Sequence, residues 1–307
     1  MVSSFSRTIQ MKVQRFVSND FTVRVAAVDA TLVVQEMQQI QNTFPLATIG
    51  VGRAMIGALL MSAQLKPGQE VGVLLKGNGP LGSVYGQSSY EGQVRGYCPN
   101  PQYEAPQVED VLNLHKAMGF GQLTVSRQQP FQRQPHYGTV EMVSGEVGDD
   151  IAHYLHQSQQ IRSIVALGVY LDQFGKVKAA GGVLVEVMPG VEDEVIKKME
   201  ANAEKLQKFS FSQALFEGVA IPEIVSKYME GIPFTQIPHD FEIQYHCPCT
   251  RERVVRALET LGVEELEKVI ADQEVLQVQC QMCGRPYKVD PSETLTIKNE
   301  LVKRSLH

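Results

Sequence analysis

Residues 247–249 read CPC and residues 280–283 read CQMC, so four of the five cysteines of this 307-residue chain fall in two close pairs. Zn²⁺ takes four thiolates in a tetrahedron at about 2.3 Å, and each pair can supply one edge of that tetrahedron. In a reducing compartment the thiols are not expected to form permanent disulfides. The spacing therefore predicts a structural zinc site formed by Cys247, Cys249, Cys280 and Cys283.

The residues around the two pairs predict a small folded unit. Residues 241–245 predict a strand that leads to the first pair, and Thr250 can cap a helix that ends at Gly262. The apolar residues Val275, Leu276 and Val278 then lead to the second pair. The segment 283–286, Cys-Gly-Arg-Pro, predicts a tight knuckle whose backbone amides point at sulfur. His246 is expected to be a neighbour and not a ligand, because four thiolates complete the tetrahedron.

Thiols in such close pairs can be oxidised to disulfides at the expense of metal binding. Structural zinc contributes on the order of 10 kcal/mol to the folding of a small domain, which is more than a segment of this size gains from its own core. Oxidation is therefore predicted to unfold the C-terminal segment.

The N-terminal part predicts strands and helices around one very apolar segment. Residues 49–65 are apolar nearly all round, which predicts a helix buried on most sides, as between two sheets, and too short to span a membrane. Thr31 can cap an earlier helix that ends before Asn42 and Pro45. Runs of alternating apolar and polar residues, and short runs bounded by glycines, predict strands. Negative charge at residues 149 and 150 predicts the start of a helix there. The predicted strands are 21–28, 71–75, 83–87, 137–143, 164–171 and 176–187. Gly181 and Gly182 in the last of these strands predict a bulge or a close backbone contact.

These patterns predict an α+β protein of three parts. The first is an N-terminal α/β sandwich-like domain over 1–188 that contains the buried apolar helix. The second is a helical linker over 189–240, whose apolar helical faces can cover a surface that they are able to leave. The third is a small C-terminal zinc-binding domain over 241–307.

The charge argues against nucleic acid as a partner. The chain has 28 Lys and Arg against 34 Asp and Glu, a formal charge of −6. Residues 241–307 hold 11 acidic and 9 basic side chains, and four thiolates on Zn²⁺ add negative charge. Residues 1–20 lack the apolar core of a secretory signal. We therefore expect a cytoplasmic protein that binds neither nucleic acid nor a membrane.

The cysteine region resembles the C-terminal redox switch of the bacterial 33 kDa chaperonin family, which is a family of redox-regulated heat-shock chaperones. Weaker similarities, which extend the resemblance to nearly the whole chain, are Gly77-Asn78-Gly79-Pro80-Leu81-Gly82 and Gly181-Gly182 with Met188-Pro189-Gly190. The residues that carry the resemblance are Tyr245, Cys247, Cys249-Thr250-Arg251-Glu252-Arg253, Ala257-Leu258, Leu261-Gly262, Glu265-Leu266, Cys280, Cys283 and Tyr287.

The resemblance implies an ATP-independent holdase that is inactive while the four cysteines hold zinc. It implies that oxidation forms the disulfides Cys247–Cys249 and Cys280–Cys283 and releases the metal. The linker would then expose apolar surface that holds unfolding proteins, and the active form would be a dimer.

Two other functions are consistent with the cysteine pattern. One is a constitutive zinc-stabilised module that binds RNA or a protein, which salt-dependent RNA affinity of the reduced form would favour. The other is a thiol oxidoreductase, which is disfavoured because zinc leaves no thiol available for attack. Enzymatic activity is not predicted, and Cys98 is assigned no role beyond that of a partly buried thiol.

Overall fold

The computed structural model describes residues 12–104, 112–132, 134–238 and 242–305. The chain divides into two compact units, Met1–Tyr245 and His246–His307, which we call unit 1 and unit 2. Unit 1 combines helices with two sheets, and unit 2 combines helices with a two-stranded sheet, so the predicted α+β class is confirmed. The domain boundaries at residues 188 and 240 stay a prediction.

The strands of unit 1 form two separate sheets. Along the chain they are β1 (Val13–Ser18), β2 (Val23–Asp29), β3 (Glu70–Gly77), β4 (Ser83–Ser89), β5 (Gln93–Tyr97), β6 (Gly121–Gln128), β7 (His136–Glu141), β8 (Arg162–Leu171), β9 (Val177–Val187), β10 (Phe234–Ile237) and β11 (Gln244–Tyr245). One sheet has the order β10-β1-β2-β9-β8 and is antiparallel throughout. The other has the order β11-β5-β4-β3-β6-β7, in which the β11–β5 pair is parallel.

The helices of unit 1 pack on both faces of the five-stranded sheet. They are α1 (Thr31–Gln41), α2 (Pro45–Ser62), α3 (Leu114–Met118), α4 (Gly148–Gln159), α5 (Asp193–Lys205), α6 (Phe211–Phe216) and α7 (Ile221–Tyr228). The main core lies between the two sheets around α2, and a second core lies under α5 to α7.

Helix α2 occupies the position that its apolar sequence predicts. Sixteen of its eighteen residues are buried, and it packs against β3, β4 and β5 of one sheet and against β2, β8 and β9 of the other. The prediction that this segment is too short to span a membrane is wrong, since the helix is long and apolar enough to do so. However, 89% of its residues are buried inside the protein, so it is a core helix as predicted. It begins at Pro45, earlier than predicted, because proline suits the first turn of a helix.

The predicted cap of α1 is wrong in detail. Ala30 is the N-cap residue, and Thr31 is the first helical residue. The Thr31 hydroxyl instead donates to the Asp29 carboxylate at 2.6 Å and accepts from the Ala180 amide at 3.1 Å, so it joins the helix start to β9.

Glycine sets the closest contacts of the main core. Gly86 of β4 lies against α2, where an added Cβ would stand 2.3 Å from the Ala54 carbonyl group. The predicted close approach at Gly181 is confirmed, since a Cβ there would lie 2.4 Å from the Val28 carbonyl oxygen. The register shift between β8 and β9 lies at Tyr170 and Leu171 and not at Gly181, so a bulge there is not seen.

The segment 189–238 packs on the outer face of the five-stranded sheet. The apolar side of α7 is buried there, including Ile224 and Tyr228, and α6 packs on β8 and β9. Helix α5 is held less firmly, because Met199 and Asn202 are its only buried residues. The segment is not wholly helical, since β10 pairs with β1 and Phe234 contacts Phe16 edge to face at 5.7 Å.

Unit 2 has a small core of its own. Its elements are α8 (Arg251–Glu259), α9 (Val263–Ala271), β12 (Leu276–Gln279), β13 (Pro286–Val289) and α10 (Pro291–Ser305). Strands β12 and β13 form an antiparallel hairpin. Among the described residues its buried apolar side chains are Val254, Leu258, Leu266, Val269, Tyr287, Val289 and Ile297. Seven such side chains are few for a unit that has to fold.

Candidate metal centre

Two segments of unit 2 bring the four predicted cysteines together. Cys247 and Cys249 lie just before α8, and Cys280 and Cys283 lie in the turn that joins β12 to β13. That turn is closed by two hydrogen bonds, from the Gly284 amide to the Cys280 carbonyl at 2.8 Å and from the Cys280 amide to the Arg285 carbonyl at 3.0 Å. Gly284 has φ +67°, a left-handed conformation that favours glycine. The predicted knuckle is confirmed.

The four sulfur atoms form one compact group. All of them lie within 4.8 Å of one another. The Sγ atoms of Cys247 and Cys280 are 3.7 Å apart, and those of Cys249 and Cys283 are 3.3 Å apart. A tetrahedron of bonds of about 2.3 Å has sulfur–sulfur edges of about 3.8 Å, whereas a disulfide bond is about 2.05 Å long. The arrangement therefore fits a tetrahedral thiolate site for a metal such as zinc.

Burial and hydrogen bonds give Cys249 and Cys283 different pKa values. Burial raises the pKa of Cys249, but hydrogen bonds from Tyr287 and from the other cysteines outweigh burial and lower that pKa to about 7. Burial is the main reason that the pKa of Cys283 rises to about 12, although the Arg285 amide donates a hydrogen bond to its sulfur. The cluster thus already favours a thiolate at Cys249, the form that binds a metal.

Tyr287 and Arg285 are neighbours of the sulfurs whose role the sequence pattern does not predict. The Tyr287 hydroxyl donates at 3.2 Å to Cys249 Sγ, and its ring is buried in the core of unit 2. The Arg285 guanidinium is hydrogen-bonded to Tyr287 and attracted to Cys249 and Cys283, which raises its pKa. Partners of this kind orient metal ligands and tune their basicity. The resemblance includes Tyr287, but its contact with Cys249 depends on the fold.

His246 and Cys98 lie outside the sulfur group. His246 is exposed, and the group that the described residues form consists of the four cysteines without it. Cys98 is buried in the main core of unit 1, where its thiol donates to the Leu81 carbonyl at 3.6 Å and burial raises its pKa to about 11. The expectation of a buried thiol at Cys98 is confirmed, and its raised pKa disfavours the reactive thiolate form.

Comparison with known proteins gives a consistent result across almost the whole chain. The family described as Hsp33 protein matches residues 12–290. The 33 kDa chaperonin of Synechococcus sp. strain JA-3-3Ab is 39% identical over 282 residues, which cover 91% of this chain and 87% of the relative. A 33 kDa chaperonin of Thermus thermophilus is 35% identical over 290 residues, which cover 91% of this chain and 84% of that relative.

A solved structure has the same fold. The crystal structure of the 33 kDa chaperonin of Thermotoga maritima, a heat shock protein 33 homologue, matches with a TM-score of 0.83 and 31% sequence identity, and the match covers 95% of this chain and 99% of that one. These relatives are named as chaperonins, and their names indicate no catalytic activity. The fold, the extent of the family match and the four-cysteine group together show that this chain belongs to the Hsp33 family of chaperones.

Proposed function

We propose that this chaperone is an ATP-independent holdase switched on by oxidation, which works in the cytoplasm. In the reduced form Cys247, Cys249, Cys280 and Cys283 hold one Zn²⁺. Oxidation forms the disulfides Cys247–Cys249 and Cys280–Cys283 and releases the metal. The activated form is a dimer that binds unfolding proteins.

The observation that carries the proposal is the position of the four sulfurs within unit 2. They join two segments that are thirty residues apart in the chain, and the apolar core beside them is small. Structural zinc supplies on the order of 10 kcal/mol to such a unit. A reaction that removes the metal therefore removes the main source of stability of unit 2.

The redox step balances with peroxide as oxidant. Within each pair the two thiolates lose two electrons and form one S–S bond, and one hydrogen peroxide accepts the electrons and two protons to give two molecules of water. The sulfurs in a disulfide are no longer thiolates, so the metal loses its ligands. Disulfides within each pair leave no covalent bond between the two segments, which therefore separate.

The linker covers the apolar surface that we propose binds unfolding proteins. Helices α5 to α7 cover apolar side chains on the five-stranded sheet, among them Val25 and Val185. Helix α5 is held partly by the Asn202 side chain, which donates to the Tyr228 and Glu230 carbonyls at 3.1 and 3.0 Å. Segments with few buried apolar contacts open most easily. We propose that loss of a folded unit 2 releases this linker and exposes the sheet face.

The test treats the reduced, zinc-loaded protein with hydrogen peroxide at raised temperature. We expect zinc release, loss of four thiols and suppression of aggregation of a thermally unfolding client, all reversed by a thiol reductant and zinc. Peptide mapping should find Cys247–Cys249 and Cys280–Cys283, and not the cross-pairs between nearest sulfurs. Zinc retention without any gain in client protection would refute the switch, and salt-dependent RNA binding by the reduced form would favour the constitutive module instead.

Replacing Tyr287 with phenylalanine should weaken zinc binding. The substitution keeps the buried ring but removes the hydroxyl that donates to Cys249 Sγ and to the Cys249 carbonyl, both at 3.2 Å. Loss of such a partner lowers metal affinity by about tenfold or more. Competition with a chromogenic chelator measures the affinity, and Tyr154→Phe, which removes a buried hydroxyl that accepts from Gln159 in unit 1, is the matched control. Equal zinc affinity in both variants would show that the Tyr287 hydroxyl does not support the site.

A further inference from the structure

Unit 1 ends with a short strand that lies against helix α1 and strand β5. Strand β11 comprises only Gln244 and Tyr245, and it pairs in parallel with β5 at the edge of the six-stranded sheet. The Gln244 amide donates to the Gly92 carbonyl at 3.0 Å. Strands in globular proteins usually have three or more residues, so backbone pairing alone holds β11 weakly.

Two apolar side chains fix this segment in place. Ile243, just before β11, is 1% exposed and belongs to the main core of unit 1, and Tyr245 packs against the same core. The Tyr245 hydroxyl accepts a hydrogen bond at 3.3 Å from the side chain of Gln41, the last residue of α1. Gln244, between the two, is exposed. This edge of the sheet therefore holds an extended segment in which two inward apolar side chains flank an outward one, the alternation of a β-strand.

The position of this segment in the chain makes it releasable. Tyr245 precedes the first proposed zinc ligand, Cys247, by two residues. While unit 2 is folded, the chain that follows β11 is fixed. Once unit 2 unfolds, that restraint is lost, and docking of a two-residue strand has to offset the conformational entropy of a free chain.

Departure of β11 uncovers a site for a strand from another protein. At Gln93 and Val94, which β11 covers, the edge of β5 then presents backbone groups that can pair with another chain. The places of Ile243 and Tyr245 open beside this edge, against the main core. Addition of a strand to such an edge gives affinity through main-chain hydrogen bonds and specificity through alternate side chains.

We propose that the β5 edge is a client-binding site that residues 242–245 occupy in the reduced protein. The proposal rests on the oxidative unfolding of unit 2 proposed above. The ligand is an extended segment of an unfolding protein in which two apolar residues flank one other residue, as Ile243 and Tyr245 flank Gln244. The site is separate from the sheet face under the linker, because it lies on the six-stranded sheet.

The probe for this site is a fluorescent peptide with the sequence of residues 242–245, whose anisotropy reports its binding to the full-length protein. We expect saturable binding to the oxidised protein, tighter by about tenfold or more than binding to the reduced, zinc-loaded protein. A control peptide with serine in place of Ile243 and Tyr245 should bind about tenfold more weakly or worse, because it lacks both apolar side chains. If the oxidised protein releases zinc and protects a client but binds the two peptides equally, the β5 edge site is refuted and the redox switch is not.

One pair of variants opens the site without oxidation. Ile243→Asp puts a carboxylate in the buried position and should displace the segment, so that the reduced, zinc-loaded variant binds the peptide about as tightly as the oxidised protein does. Gln244→Asp adds the same charge at the exposed position beside it and should leave the site closed. Retained zinc and slow hydrogen exchange in α2 check that both variants stay folded. Equal peptide affinities in the two folded variants would show that residues 242–245 do not cover a binding site.

A second pair of variants blocks the site in the oxidised protein. A Cβ at Gly92 would stand 2.6 Å from the Glu242 carbonyl oxygen, which is the place that a backbone carbonyl of the added strand takes. Gly92→Ala should therefore lower peptide affinity by about tenfold or more. Gly82→Ala is the matched control, because the two glycines have similar φ angles of +79° and +70°, but the nearest atom to a Cβ at Gly82 is 3.6 Å away. Equal affinities in these two variants would contradict strand addition at the β5 edge.

Discussion

Removing zinc from the reduced protein with a chelator is expected to unfold unit 2 and to leave unit 1 folded. The reason is the imbalance between the two cores, since unit 1 encloses an almost fully buried helix α2 between two sheets, whereas unit 2 buries seven apolar side chains among its described residues. Metal loss should cost unit 2 on the order of 10 kcal/mol. Hydrogen exchange measured on the full chain should show protection lost over residues 251–305 and retained over α2.

Cysteine variants provide the matched control for that result. The double variant Cys247→Ser/Cys280→Ser should behave like the chelated protein, because a serine hydroxyl does not ionise to replace a thiolate ligand near neutral pH. Cys98→Ser replaces a cysteine outside the sulfur group and should retain one zinc and a protected unit 2. Persistence of full protection over residues 251–305 in the metal-free protein would show that unit 2 folds without its metal.

The parts of the fold that could be predicted from sequence are those with strong local signals. Helix α2 is apolar nearly all round, with Arg53 as its one charged residue, and only burial between two layers accommodates such a helix. The hairpin of β8 and β9 combines long apolar runs with the turn at Asp172-Gln173-Phe174-Gly175. The glycine-rich segment 77–82 lies between β3 and β4 as a turn, which agrees with its lack of a following helix.

The elements that local sequence patterns do not predict depend on contacts distant in sequence. Strand β10 has four residues, of which two are exposed, and it is stabilised by pairing with β1 more than two hundred residues earlier. Strand β1 itself has no regular alternation of buried side chains. Helix α10 is largely polar, and it packs on α8 and α9. Hydrophobic periodicity carries little information about such elements.

The candidate site also has one part that the sequence predicts and one part that depends on the fold. Cysteines at close spacing identify the sulfur group because few residue types bind zinc, and the spacing alone limits the geometry. The contact of Tyr287 with Cys249 arises from the β12–β13 register, in which Val278 pairs with Tyr287.

Replacing Ile224 with aspartate is expected to activate the chaperone without oxidation. Ile224 is fully buried between α7 and the five-stranded sheet, and a carboxylate placed there without a partner costs more than about 3 kcal/mol. The charge should drive α7 off the sheet, and α5 should follow because Asn202 is hydrogen-bonded to the end of α7 and to Glu230. The apolar side chains beneath, including Val25 and Val185, then become accessible to an unfolding client.

Client aggregation and binding of a dye that reports apolar surface, both measured under reducing conditions, check this expectation. Ser226→Asp is the matched control, because it adds the same charge at an exposed position of the same helix and should remain inactive. Zinc should stay bound in Ile224→Asp, since the change lies in unit 1 and the cysteine ligands are in unit 2. Protection of the client with zinc still bound would assign the client surface to the sheet face under the linker and limit the role of the metal to controlling access to it. If the variant binds the dye but leaves client aggregation unchanged, the sheet face under the linker is not the surface that holds clients.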